Sequence, residues 1–170
     1  GVDYRQQVMQ EVDIYHQPLG EKTDATLSAA FSRIADRSED EGQLKLGSRT
    51  VKCVRHAGGV VWFNFAHLCG GARSQNDYLE IAQRFHTVIL SDIPQLTAAM
   101  ASEARRFTWL IDILYDHRVK CIMSAAVAPE LLYVEGTLSN EFHRTVSRII
   151  EMQSLAYKES GRRQAAEAIA

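Results

Sequence analysis

Leu27, Ala30, Phe31 and Ile34 recur at the spacing that places apolar side chains on one face of a helix. The spacing predicts a helix from Thr23, a residue able to cap it, to about Asp36. Ahead of it, residues 1–22 are expected to be extended, with Pro18 and Gly20 closing the segment. Behind it, Arg37-Ser38-Glu39-Asp40-Glu41-Gly42 predicts a solvated, charged break. From Leu44 to Phe65 the period falls to two. Leu44-Lys45-Leu46, Thr50-Val51-Lys52-Cys53-Val54 and Val60-Val61-Trp62-Phe63-Asn64-Phe65 are separated by Gly47-Ser48-Arg49 and by Gly58-Gly59. That pattern predicts a small antiparallel meander with glycine turns, ended by Cys69-Gly70-Gly71.

Helical spacing then returns. Tyr78, Ile81, Ala82 and Phe85 follow Ser74, a second capping residue. Thr87-Val88-Ile89-Leu90 is a short apolar run bounded by Asp92 and Pro94, the mark of a buried strand. A helix is expected from about Ser102 to Asp116, with Phe107, Leu110, Ile111 and Leu114 as its stripe. Val119-Lys120-Cys121-Ile122-Met123 is the next buried strand. Strand, helix and strand imply a parallel, right-handed crossover. A last helix begins near Asn140 and carries Phe142, Val146, Ile149, Ile150 and Tyr157. The Ala-rich tail from Gly161 is expected to fray. The fold class is therefore α/β. Residues 1–41 form a junction strand and helix, 42–71 the meander, 72–160 the α/β layer and 161–170 the tail.

Composition narrows the possible functions. Of 170 residues, 46% are apolar and 24% charged, a globular balance, and the net charge is -2. Nothing in that bulk charge suggests a nucleic-acid or membrane partner. No apolar run approaches the roughly 20 residues that a membrane-spanning helix needs. No signal peptide is visible, and a cytoplasmic setting is expected. The opening Gly1-Val2-Asp3-Tyr4-Arg5, without an initiator Met, reads as the middle of a longer protein. Cys53, Cys69 and Cys121 are odd in number and widely spaced, so buried reduced thiols are expected rather than disulfides or a zinc site.

Candidate chemistry is sparse. None of the ten glycines is followed by Lys, so the phosphate-cradling GxxxxGK[ST] loop is absent from these residues. Leu90-Ser91-Asp92 resembles a strand delivering an Asp to magnesium, but Ile93 stands where an activating acid would follow, and a turn role competes. Glu103 falls inside the apolar sector of its helix, with Arg106 three residues on. Arg105 lies on the opposite face with Asp112. A first-turn ion pair and an arginine reaching a nucleotide or a neighbouring subunit are both open readings. Arg144 and Arg148 share one face of the last helix, opposite its apolar stripe, with Glu151 three residues beyond. They read either as a solvated ion-pair ladder or as a pair sensing γ-phosphate, whose oxygens suit guanidinium geometry. No histidine has a Ser or Cys partner at recognisable spacing, and Tyr78 and Trp109 carry no base-stacking signature.

Several segments together resemble one family. Ala72-Arg73-Ser74-Gln75-Asn76-Asp77-Tyr78 is similar to its linker helix, and Phe85-His86-Thr87-Val88-Ile89-Leu90-Ser91-Asp92-Ile93-Pro94 to its FHTV…DVP strand. Glu103-Ala104-Arg105-Arg106-Phe107 with Leu110, Asp112 and Tyr115 resembles EARRF..L.D..Y. Ser147-Arg148-Ile149-Ile150-Glu151-Met152-Gln153-Ser154 resembles SRL.EMQS. Ala128, Ser139-Asn140 and Lys158 depart from the pattern. The family is that of the ZapE-type cell-division ATPases and the mitochondrial Afg-one-like, or lactation-elevated, ATPases. The resemblance implies part of a three-layer, P-loop (AAA+-like) fold with the meander inserted. It implies ATP and Mg2+ bound mainly by an upstream half, and the tubulin-like division-ring protein as partner, with self-association a further expectation. The chain alone is then expected to be inactive. Arg148 is first among nucleotide-facing candidates, followed by Arg144, Arg106 and Arg105, with Glu103 in support and Asp92 a weak metal candidate. The alternative is a non-catalytic module that docks the ATPase on the division ring.

Overall fold

The computed structural model describes residues 2–35 and 40–161. The chain does not begin extended: α1 spans Val2–Glu11. Its Arg-Gln-Gln and Met-Gln-Glu runs are good helix formers, and Val8, Met9 and Val12 bury one face against neighbouring helices. A two-residue strand β1, Tyr15–His16, follows. Helix α2, Glu21–Ile34, starts two residues ahead of Thr23, with Gly20 at its N-cap. Thr23 instead ties the first turn to the preceding segment, its hydroxyl donating to the Pro18 carbonyl at 2.7 Å. The predicted stripe is intact, with Leu27, Ala30, Phe31 and Ile34 all buried. Of the expected charged break, Asp40-Glu41-Gly42 already belong to strand β2, Asp40–Leu46; Arg37, Ser38 and Glu39 lie outside the described residues, as does the expected helix end at Asp36.

Strands β2, β3 (Arg49–Ala57) and β4 (Val60–Asn64) form the expected antiparallel meander. The Gly58-Gly59 turn has positive φ at both positions, 53° and 89°, which matches the twist of a tight hairpin. The meander is no separate body. β4 pairs in parallel with β5, Thr87–Ile93, from Val60↔Thr87 to Asn64↔Ser91. β5 pairs in parallel with β6, Lys120–Ala125, and β6 with β1. One six-stranded sheet results, in the order β1-β6-β5-β4-β3-β2.

Helices join these strands. α3 (Phe65–Leu68) and α4 (Gln75–Arg84) lead from β4 to β5, and α5 (Ala101–Asp116) leads to β6. Nearly every β5 side chain is buried, as is every one in β6. Alternate side chains point to opposite faces, so both faces are covered, as a parallel sheet requires. α2 lies across β4, β5 and β6, while α5 packs between α4 and α6 (Ser139–Met152). The last helix is broken, not continuous. Ser154 caps a separate α7, Leu155–Glu159, by accepting from the Tyr157 amide at 3.2 Å. Tyr157 therefore belongs to α7, and Ile150, expected in the α6 stripe, is 49% exposed.

Ser74 and Asp77 form a reciprocal capping box at α4, and Asp77 is also ion-paired with Arg49 of β3. Burial pushes the Asp77 carboxyl up, but the Ser74 amide and Arg49 outweigh it and hold it below its ordinary value. A carboxylate lowered in the folded state adds stability above its unfolded value of 3.8 that is lost as pH falls through the folded value. Asp77→Asn should therefore cost about 1 kcal/mol at pH 7, with a gap that narrows in denaturant unfolding at pH 3. Gly59→Ala meets two obstacles: a φ of +89° and a new Cβ 2.7 Å from the His86 ring. The backbone term alone predicts a loss of about 1–2 kcal/mol, measurable in the same unfolding experiment.

Candidate functional site

The parallel strands end together at their carboxyl edge, where ligands of open α/β sheets usually bind. Asn64 ends β4, Asp92 lies near the end of β5 and Ser124 near the end of β6. Asp92 is not a turn residue after the strand. β5 runs through it to Ile93, with a register irregularity there and φ of 61° at Asp92. Its amide donates to the Ser124 hydroxyl at 3.0 Å, and its carboxylate accepts from the Asn64 amide at 2.6 Å. The Trp62 indole N–H donates to Ser91 beside it. Burial, then the charge of Asp24, push the Asp92 carboxyl up, while the Asn64 bond pulls it down. The edge thus holds a carboxylate engaged by Asn64, on a backbone tied to Ser124. Neither Asn64 nor Ser124 stood out in the sequence, because their partnership depends on register between strands far apart in the chain.

A second cluster lies between α5 and α6. Asp112 accepts from Arg148 through Oδ1, and from Arg144 through Oδ2 at 3.5 Å. The structure brings these two predicted arginines together, but on a carboxylate of another helix and not on Glu151. Their positions differ. The Arg144 side chain is 62% exposed, whereas that of Arg148 is 24% exposed and lies 5.0 Å from the centre of the Tyr115 ring. Tyr115 stacks on Tyr157 at 5.8 Å, and Arg118 approaches both rings. Arg148 is thus held against α5, while Arg144 reaches into solvent.

Arg106 stands apart from that cluster. Its Nε donates to the Cys69 carbonyl at 2.7 Å, and its terminal nitrogen lies 3.4 Å from Glu103. Tyr78 donates to the Leu68 carbonyl, and Arg73 to that of His67. Three consecutive carbonyls at the end of α3 are therefore satisfied by side chains, which a helix terminus otherwise leaves to solvent. Glu103 sits at the edge of the buried stripe as the partner of Arg106, while Arg105 is exposed on the other side of α5.

Among the described residues, no three His, Cys, Asp or Glu side chains converge to hold a metal ion. The described residues do not make a magnesium cage, and Asp92 offers one carboxylate already engaged by Asn64. The cysteines are free and buried, and burial pushes the Cys69 and Cys121 thiols up to about 12, which keeps them neutral and unreactive. No helix among the described residues is long and apolar enough to cross a membrane.

Comparison with known proteins finds relatives along most of the chain. The AFG1-like ATPase family matches residues 1–160. The cell division protein ZapE of Escherichia coli K12 is 36% identical over 158 residues, covering 92% of this chain and 42% of that protein. Lactation elevated protein 1 homolog B of Danio rerio is 30% identical, covering 96% of this chain and 40% of its own length. The chain thus spans about two-fifths of the length of these curated relatives. No solved structure matches it. With a family match over nearly its whole length, and an α/β sheet carrying the matched segments, the chain belongs to the AFG1-like ATPase family.

Proposed function

We propose that this chain forms the carboxy-terminal part of a cell-division-associated, Mg-ATP-hydrolysing P-loop ATPase, and that it contributes a nucleotide-facing arginine, Arg148. The observation that carries the proposal is the family match over residues 1–160, on a chain that contains no GxxxxGK[ST] segment. Phosphates and magnesium would be held by the upstream half. Magnesium there would supply Lewis-acid stabilisation of charge on the phosphates, and this chain would supply positioned cations. Asp112 and the Tyr115 face fix the Arg148 guanidinium between α5 and α6. A charge fixed before reaction costs no reorganisation when phosphate charge develops. Arg144 on the same helix face shares Asp112 from solvent, and Arg105 and Arg106 rank below both. The setting is cytoplasmic, at the division site, with the tubulin-like ring protein as partner and self-association of the ATPase.

A second reading has its own observation. Asp112 already accepts from both arginines, as it would in a purely structural α5–α6 clasp. The chain would then be a module that docks the ATPase on the division ring, without touching nucleotide.

Two measurements separate these readings. The isolated chain should show no turnover of magnesium-ATP above background; activity that survives repurification would overturn the assignment of the phosphate site to an upstream half. In the longer protein, Arg148→Ala should lower turnover by about 10³–10⁵ if Arg148 meets transferring phosphate. Arg144→Ala removes an exposed pair worth roughly 0–1 kcal/mol and should leave turnover nearly intact. Intact turnover with a lowered melting temperature in both variants would make the pair a clasp. Unchanged turnover and melting with lost ring-protein binding would favour the docking module.

A further inference from the structure

At the opposite end of the sheet from Asp92, a basic pocket opens beside the first residues of β5 and β6. α1 and α7 pack together over it, so it lies where the two ends of the described chain meet. Its walls include Arg5, Thr87, Arg118, Lys120, Lys158 and Glu159, and its volume is about 90 Å³. A water needs roughly 10–15 Å³ by this measure, so the space admits several waters or one phosphate-sized group.

The charges round this space do not balance. Four cations face one carboxylate, a local excess of three positive charges. Glu159 accepts from Gln10 and forms no ion pair with the four cations among the described residues. The two lysines are tied down. Lys120, 9% exposed, donates to the carbonyls of Arg118 and Ser160 and lies 3.2 Å from the Ser160 hydroxyl, while Lys158 donates to the Val12 carbonyl. The arginines commit few of their donors. Arg118 gives one bond of 3.3 Å to the Tyr115 carbonyl, out of five N–H groups, and its guanidinium lies 5.0 Å and 5.6 Å from the Tyr115 and Tyr157 ring centres. Arg5, half-buried on α1, makes no hydrogen bond or ion pair among the described residues. Burial, with Arg118 adding to it, pushes the Lys120 amine down to about 8, the response of a cation that lacks a neighbouring anion.

We infer that this pocket binds a phosphate-sized oxyanion, gripped by Arg5 and Arg118 with Lys120 and Lys158 supplying charge behind them. Guanidinium groups pair with such oxygens through two parallel bonds, and two arginines can engage different edges of a tetrahedral anion. An anion there links α1 to the residues that anchor α7. The inference does not rest on the reading of Arg148, and its test needs no hydrolysis.

The experiment is calorimetric titration of this chain with inorganic phosphate, at ionic strength matched with chloride. Saturable binding is expected, weakened at least tenfold by Arg5→Gln and also by Lys158→Gln, while Lys52→Gln, at an exposed position of β3, leaves it unchanged. Arg5 and Lys158 are half-buried and stand outside the hydrophobic core, so circular dichroism of both variants should match the parent chain. Competition by ADP for the same Arg5-dependent site marks the phosphoryl group as nucleotide-borne, and its failure marks the ligand as free phosphate. Heat no greater than the chloride control, binding that Arg5→Gln and Lys158→Gln leave intact, or acetate bound as tightly as phosphate would each overturn the inference.

Discussion

The fold depends on one constraint: β5 must be paired on both edges and covered on both faces. Its backbone is satisfied by β4 on one side and β6 on the other, in parallel registers that run from Thr87 to Leu90. Unpaired buried amides are too costly for either neighbour to be dispensable. Parallel pairing in turn demands long crossovers, so α4 and α5 must lie where they do. Covering the other face recruits α2. The two ends of the strands each gather polar side chains. Asn64, Asp92 and Ser124 meet at the carboxyl edge, and Arg5, Arg118 and Lys120 at the amino edge.

Much of this was legible in the sequence because burial imposes periodicity. The stripes of α2 and α5, the largely apolar, buried runs of β5 and β6 and the alternation in β3 each report a face or a core. What failed to show was set by partners distant in the chain. α1 has only Val8, Met9 and Val12 to bury, too few to mark a stripe, and it forms because α2 and α7 offer a surface. Two residues of β1 cannot make a pattern at all. The break between α6 and α7 rests on the Ser154 cap, and Tyr157 carried the apolar spacing across it because its hydroxyl reaches the Leu114 and Val119 carbonyls. The meander was read correctly as local structure, but its fusion to the main sheet depends on the β4–β5 register, which no local signal encodes.

The candidate arginines follow the same rule. Their helical spacing placed Arg144 and Arg148 on one face, and the Glu103–Arg106 pair was visible as an i, i+3 couple. The charge that organises Arg144 and Arg148, however, comes from Asp112, 36 residues before Arg148. Arg106 acquired its main partner, the Cys69 carbonyl, from the turn that α5 covers. Side chains with similar sequence signatures thus end in different roles. Arg106 closes a helix end, Arg148 is clasped between two helices, and Arg5 and Arg118 face an open basic pocket.

The central proposal is that α6 and its clasp on α5 lie against nucleotide in the longer ATPase. Hydrogen exchange of that protein, with and without a non-hydrolysable ATP analogue and magnesium, tests it most directly. The account predicts slower exchange in peptides covering α6 and the Asp112–Tyr115 turn of α5 when the analogue is bound. Protection confined to segments upstream of this chain, with α5 and α6 unchanged, would contradict it.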